Sequence, residues 1–292
     1  MRPLGETNPA AVMLYFLLVT GITMFTMNPV VIAGSFLFAL VVFLLTDRKG
    51  GFRQHIPYII LGIVLAFINP LVYHNGVTVL LVLNDNPITL EALIYGIVAS
   101  AKILAALYWF RSFSLIMSED KLLYCFGSIS PKSAQLLSMV LRFVPLFRKK
   151  MQEVSRSQKA VGLYKDDNLI DHIRNGLRIF SIMVTWALEN GIITADSMTA
   201  RGYGTGRRSY FSFYRFRRSD GWFVLLLLLF SIPVIVLLGR KTGEIVYYPE
   251  LIPPASGPAS LWLYISFFCL CALPVVLYLE DKLSWKYYLS KI

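Results

Sequence analysis

Two short motifs hold the residue types best suited to a specific contact. Residues 157–162 (SQKAVG) and 197–202 (SMTARG) share the pattern Ser-x-x-Ala-x-Gly, 40 residues apart. Glycine accepts the left-handed conformation that closes the last carbonyls of a helix, so each motif predicts a helix end. A cation in the last turn suits the negative end of the helix dipole, which gives Arg201 a structural explanation.

A contact with a partner is a second explanation for Arg201. Its small neighbours leave the guanidinium unobstructed, and arginine pairs with a carboxylate through two parallel hydrogen bonds. Two matching helix ends suit a partner that is itself a pair of similar subunits. The predicted docking residues are Lys159, Ala160, Val161 and Gly162 at the first end and Ala200, Arg201 and Gly202 at the second.

Patterns for catalysis and metal binding are weak. The nearest match to a phosphate-binding loop, GRKTGE at 239–244, lacks the GxxxxGK[ST] spacing. The three histidines fall in separate regions without the spacing of metal ligands. We therefore expect no catalytic residue, no bound metal and no cofactor.

The segment 207–218 interleaves arginines with aromatic residues. This pattern is typical of an interfacial belt against anionic headgroups. It also leaves open an integral membrane enzyme acting on a phosphorylated or lipid substrate. Nucleic acid is not an expected partner, because the pI of about 9.6 reflects orientation in a membrane and no nucleic-acid-binding fold accompanies the charge.

The composition places these motifs in a membrane protein. Hydrophobic residues make up 56% of the chain, charged residues 15%, and the mean hydropathy is +0.61, far from the average of soluble domains. Six stretches approach the ~20 residues with which a helix crosses about 30 Å of hydrocarbon. The predicted spans are 10–27, 30–46, 56–73, 88–110, 222–238 and 261–279. The first lacks the basic segment and cleavage site of a signal peptide, so we expect it to remain.

Basic residues predict the orientation, because Lys and Arg in short loops stay on the cytoplasmic side. Eighteen of the 28 basic residues fall between 111 and 221. Both termini and this segment are therefore expected in the cytoplasm, with 27–29, 74–87 and 239–258 facing outward. Lys102 lies inside span four, and we expect its long stem to extend towards the cytoplasm.

The segment 111–221 predicts long amphipathic helices. Polar and apolar residues take opposite sides from about 133 to 160, where Pro145 is expected to kink the helix, and again from residue 174 onward. The apolar run 179–188 is too short to span. The predicted fold class is an all-α membrane protein with about six transmembrane helices and a cytoplasmic coupling domain of long amphipathic helices. Its segments are 1–110 with four spans, 111–221 as the coupling domain with two Ala-x-Gly helix ends, and 222–292 with two spans and a tail.

Three motifs together are similar to one known family. ARGYGTGRR (200–208), LRFVP (141–145) and NPLVYHNGVTVLLVLNDNPITLEALIYG (69–96) resemble the transmembrane, or T, component of energy-coupling factor (ECF) transporters. These are prokaryotic ABC-type importers of vitamins and trace metals. The resemblance covers roughly residues 28–220, and three motifs in the right order are specific, whereas Ala-Arg-Gly alone is not.

The resemblance implies a scaffold without catalysis of its own, in a prokaryotic cell membrane. Each of two coupling helices would end in an Ala-Arg-Gly-like motif that docks on one of two ABC ATPase subunits. Their apolar faces would hold a separate substrate-binding membrane subunit, the S component, which topples to release its cargo. Arg201 matches the second motif. Val161 stands where the first motif usually has arginine, so either Lys159 or Arg156 supplies a nearby cation or this contact is apolar.

Two alternatives remain beside this interpretation. An ordinary ABC importer permease would form its own translocation path and dock its ATPase through one short loop, whereas this sequence predicts two long helices. An integral membrane enzyme would need an acid, base or metal cluster at membrane depth.

The stretch 69–96 is explained either by the fold or by contact with the S component. Asn69-Pro70 is expected to end or break span three near the outer surface. Thr89 is expected to cap span four, with Glu91 in its first turn. Both explanations also apply to Pro145.

Overall fold

The computed structural model describes residues 7–47, 51–73, 76–83, 86–162, 169–206, 214, 216–254 and 257–289. Helices dominate these residues, and a short 3₁₀ turn covers Phe52–Gln54. The helices are α1 (Pro9–Phe25), α2 (Pro29–Thr46), α3 (Ile56–Val72), α4 (Leu90–Ile116), α5 (Glu119–Ile129), α6 (Pro131–Ala160), α7 (Leu169–Ala200), α8 (Arg218–Gly239) and α9 (Pro258–Leu289). Two strands, β1 (Val79–Leu83) and β2 (Asn86–Thr89), pair antiparallel.

The first two helices begin with the same local device, an asparagine followed by proline. The Asn8 side chain accepts a hydrogen bond from the Ala10 amide at 3.0 Å, and Asn28 accepts one from the Val30 amide at 2.9 Å. Asparagine satisfies an orphan donor of the first turn, and proline suits the first helical position because its missing N–H has no partner there. Thr89 caps α4 in the same way, as predicted, through the Ala92 amide at 3.4 Å.

All six predicted spans are apolar helices in the structure. Among the described residues, five helices are long and apolar enough to cross a membrane: α2, α4, α7, α8 and α9. Helices α1 and α3 are shorter, with 17 residues each. That α7 is one of these five helices was not expected, because the sequence interpretation judged the apolar run 179–188 too short to span a membrane. The polar flanks of that run are helical too, giving 32 residues with a mean hydropathy of 1.2 in the most apolar window.

The hairpin of β1 and β2 was not predicted. Its register places Val82 opposite Pro87 and Leu83 opposite Asn86, immediately before α4 begins. Glu91 in the first turn of α4 accepts hydrogen bonds from both the amide and the hydroxyl of Thr78, and so holds the hairpin against the helix start. Only residues 84 and 85 separate the two strands, and the sequence there lacks the Asn-Gly or Asp-Gly pair that is typical of a tight hairpin turn.

The chain divides into two compact units. The membrane unit comprises 1–122 and 214–292, and the coupling unit comprises 123–213. Within the membrane unit, α4 packs against α1, α2 and α3, while α9 packs against α8 and α2. The division into three segments proposed from the sequence stays a prediction.

An aromatic cluster forms the core of the membrane unit. Trp109 of α4 is fully buried and meets the rings of Tyr15 and Phe16 at centroid distances of 6.1 and 6.0 Å. Its indole N–H donates to the Ser35 hydroxyl at 3.0 Å, and that hydroxyl also bonds Thr23 at 2.8 Å. Buried polar groups need such partners, because an unpaired one keeps its full desolvation cost.

The loop between α8 and α9 is tied to the start of α2. Asn28 Nδ2 donates to the Gly243 carbonyl at 2.6 Å and to the Tyr264 hydroxyl at 2.9 Å. The Tyr247 hydroxyl donates to the Met27 carbonyl at 2.7 Å. Burial and the neighbouring Tyr95 raise the pKa of Tyr247 to about 12, so this donor keeps its proton at neutral pH.

One expectation for the membrane unit is wrong. The Lys102 ammonium lies 3.9 Å from the sulfur of Met27, which joins α1 to α2 at the end that the sequence assigns to the outer side. Side chains on a helix lean towards its N-terminus, and the N-terminus of α4 lies at this same end. Lys102 therefore extends away from the predicted cytoplasmic side.

Candidate docking site

Helices α6 and α7 form an antiparallel hairpin in the coupling unit. The ring of Phe147 packs edge-on against Trp186 at a centroid distance of 5.4 Å. Near the turn of the hairpin, Arg156 of α6 and Gly176 of α7 line the same groove. Because residue numbers rise along one helix as they fall along the other, the end of α6 and the end of α7 lie at opposite ends of the hairpin.

Both helices end where the motifs predict. Gly162 and Gly202 have the same left-handed φ of 73°. The amide of each donates to a carbonyl three residues back, Lys159 at 3.1 Å and Thr199 at 2.9 Å. Tyr203 completes a Schellman motif by donating to the Met198 carbonyl at 3.0 Å. The helix-stop explanation of the glycines is therefore confirmed, and it applies to both ends.

The residue before each glycine has an exposed side chain. Val161 is 71% exposed, and Arg201 is exposed as well. Among the residues that the structure describes, no carboxylate lies within ion-pair range of Arg201. The Schellman bonds are made by the backbone alone, so they do not require arginine at position 201.

The two ends are far apart. Arg156 and Gly176 line the same groove, so they mark one level along the hairpin. From this level, α7 runs about 24 residues to Ala200, and α6 runs about five residues in the opposite direction to Val161. At 1.5 Å per residue, the two ends are on the order of 40 Å apart. Lys159 is exposed in the last turn of α6, beside Ala160.

The hairpin presents large apolar side chains on its surface. No described residue of α6 is buried, and Asn175 is the buried residue of α7. Exposed large apolar residues are Leu136, Leu137, Val140, Val144, Leu146 and Met151 on α6, and Leu169, Ile170, Ile173, Leu177, Phe180, Ile182, Val184, Leu188, Ile192 and Ile193 on α7. Surfaces of this extent normally contact another protein or lipid.

The other predicted site residues lie elsewhere. Helix α6 continues through Pro145, and the kink expected there stays a prediction. Helix α3 continues two residues beyond Pro70, which is buried. Asn69 donates to the Ala92 carbonyl of α4 at 3.0 Å, a contact that ties two helices of the membrane unit. These contacts support the explanation by fold for Asn69 and Pro70.

Comparison with known families identifies the family of this chain. The family model CbiQ, described as "Cobalt transport protein", matches residues 3–211. The chain belongs to this family, the T components of ECF transporters. No curated protein gave a match. The matched range contains both helix ends, whereas α8 and α9 lie beyond it.

This T component is a multi-pass membrane transport protein of the ECF type. Its described residues contain no group of three or more His, Cys, Asp or Glu side chains placed to hold a metal ion. Sequence reasoning found the two helix ends through their glycines. It missed the groove between α6 and α7, because the walls come from two helices whose pairing no local pattern specifies.

Proposed function

We propose that this T component is a scaffold that couples ATP hydrolysis by two partner ATPase subunits to uptake through a separate S component. The observation that carries the proposal is Arg201: exposed, at a helix end whose backbone closes without it, and without a carboxylate partner among the described residues. A guanidinium in that setting is available for a carboxylate of another subunit.

The two Ala-x-Gly ends dock on two different ATPase subunits. Their separation, on the order of 40 Å, exceeds the reach of one small socket. Their identical glycine geometry presents Val161 and Arg201 in the same way, so the two sockets meet a matching backbone with different side chains. The ATPase surface that contacts Arg201 contains a carboxylate. The surface that contacts Val161 is either apolar or is contacted by the nearby cation of Lys159.

The S component covers exposed apolar residues of α6 and α7 that do not line the groove between them, such as Val140, Leu188 and Ile192. Covering them in a complex is favourable, because each Å² of apolar surface removed from water contributes about 25 cal/mol. The cargo, a vitamin or a trace metal such as the cobalt named by the family description, is bound by the S component. The T component itself has no catalytic activity and lies in a prokaryotic cell membrane, with both termini in the cytoplasm.

The charge reversal Arg201→Glu tests the proposal. We expect loss of ATPase co-purification and of ATP-driven uptake, because removing one partner of a desolvated charge pair costs about 3–5 kcal/mol, a factor of 100 or more in affinity. The thermal stability of the purified chain should not change. Arg174→Glu on the same helix makes the same change of charge away from this end and should keep both activities.

A different result would favour another function. If Arg201→Glu unfolds the chain, Arg201 is a structural cap. If the chain transports with ATPases alone and without any small membrane subunit, it is an ordinary ABC importer permease. If turnover of a phosphorylated or lipid substrate is found in the purified chain without ATPases, it is a membrane enzyme.

A further inference from the structure

The hairpin of α6 and α7 encloses an open groove of about 980 Å³ whose two walls differ in chemistry. The α7 wall is apolar and contains Phe180, Met183 and Val184. The α6 wall contains the apolar Phe147 and Met151 and, beside them, the three polar residues Arg148, Gln152 and Arg156. These eight residues define the hairpin groove. The three polar residues of α6 are four apart, so they form one row along the helix. The α7 residues follow the i, i+3, i+4 spacing of one apolar face.

In the described part of the coupling unit, no carboxylate pairs with the arginines of the groove. Among the described residues, neither Arg148 nor Arg156 pairs with a carboxylate, and the nearby Glu153 pairs instead with Lys150 at 3.2 Å. Two guanidiniums about 12 Å apart along the helix therefore face the same groove, opposite apolar side chains of which Phe180 is 65% exposed.

We propose that the hairpin groove binds an anionic phospholipid, with its phosphate at Arg148 or Arg156 and an acyl chain against Phe180, Met183 and Val184. The groove and such a lipid are complementary, because each has an ionic edge beside an apolar length. Arginine binds phosphate through a planar pair of donors and is the cation most suited to this contact. The volume is at the upper end of the 300–1,000 Å³ range that is usual for small-molecule sites.

A lipid also explains why the hairpin is so loosely packed. Phe147 packs against Trp186 at the ring contact between α6 and α7, and it also lines the groove, which extends from there to Arg156 and Gly176. A cavity lined by apolar atoms forfeits dispersion contacts unless something fills it. An acyl chain in the groove would supply these contacts.

Native mass spectrometry of the full chain in detergent tests this proposal. The probe is an equal mixture of phosphatidylglycerol and phosphatidylcholine with identical acyl chains. We expect phosphatidylglycerol to be retained over phosphatidylcholine by about tenfold. Both lipids offer a phosphate, but phosphatidylcholine also carries a trimethylammonium group, which the guanidiniums of Arg148 and Arg156 repel. The variant Arg148→Gln/Arg156→Gln should reduce this ratio to about one.

Matched variants separate the groove from general charge. Lys149→Gln/Lys150→Gln removes the same charge from neighbouring residues that do not line the groove, and should leave the preference intact. Phe180→Ser should lower the retention of both lipids by a similar factor. Arg148→Lys/Arg156→Lys keeps both charges and should keep part of the preference, because lysine binds phosphate through one ammonium group instead of a planar pair of donors.

Three outcomes would overturn the proposal. The first is an unchanged lipid preference in Arg148→Gln/Arg156→Gln. The second is displacement of the lipid by millimolar inorganic phosphate, which would indicate an anion site without an acyl chain. The third is loss of S-component capture in Phe180→Ser with the retention of both lipids unchanged, which would indicate a protein in the groove. The inference does not rest on ATPase docking, since Arg201→Glu should keep the lipid preference whether or not it loses the ATPases.

Discussion

The membrane unit and the coupling unit use similar apolar side chains in opposite ways. In the membrane unit, helices bury one face against each other, and Trp109, Tyr15 and Phe267 are fully enclosed. In the coupling unit, α6 has no buried described residue, and Leu188 of α7 is 65% exposed. Apolar residues therefore stabilise the first unit from within, whereas those of α6 and α7 remain available to other molecules.

The difference predicts where substitutions destabilise the chain itself. Trp109→Ala removes the indole from contact with Tyr15 and Phe16 and leaves Ser35 without its donor. We expect a loss of about 3–5 kcal/mol in the free energy of unfolding, measured by titrating the purified protein with a denaturing detergent. Trp262→Ala, at a side chain that is 67% exposed, should change it by less than about 0.5 kcal/mol. Equal losses in the two variants would contradict the contrast.

Two glycines, Gly96 in the membrane unit and Gly191 in the coupling unit, test the same difference in packing. A Cβ on Gly96 of α4 would lie 2.5 Å from the Ala66 carbonyl oxygen of α3, so Gly96→Ala must push two helices apart. We expect a loss of roughly 1–3 kcal/mol in the same titration. Gly191 of α7 has no atom within 4 Å of its Cβ position among the described residues, so Gly191→Ala should stabilise the chain by up to about 1 kcal/mol. Destabilisation by Gly191→Ala would show that α7 is packed after all.

In the coupling unit, replacing an exposed apolar residue with a polar one should weaken assembly with the S component and leave the stability of the chain unchanged. Leu188→Ser is expected to alter the free energy of unfolding by less than about 0.5 kcal/mol, because the side chain is mostly exposed. Capture of the S component should weaken about tenfold or more, since burying a leucine contributes roughly 1.5–3 kcal/mol. Quantitative co-purification measures this effect. Leu283→Ser, at a similarly exposed side chain of α9, serves as the control and should capture normally.

The smallest effect is expected at the first helix end. Val161 has ordinary backbone angles, with φ at −82° and ψ at 1°, and its side chain is exposed, so Val161→Arg fits the local structure. Stability should stay within about 0.5 kcal/mol, and uptake should persist if the first ATPase socket keeps a carboxylate. Uptake assays check this expectation. A stable variant without transport would show that this socket accepts apolar residues alone.

Features set by neighbours in sequence were predictable. Gly162 and Gly202 end helices because their conformation is local, and Thr89 caps α4 through an amide three residues away. The six apolar stretches became helices for the same reason, since hydrophobic length is read directly from the chain. The direction of Lys102 was not predictable, because it depends on how α4 is placed beside Met27.

The sequence by itself determined that this is a helical membrane protein of the ECF T-component family with two Ala-x-Gly helix ends, because hydropathy, capping and motif order are properties of short segments. The tertiary structure decided that Arg201 stands exposed, that Asn28 and Tyr247 tie the loop before α9 to α2, and that two arginines face an apolar wall across the hairpin groove. These features arise from residues far apart in the chain, and their energies depend on which faces meet.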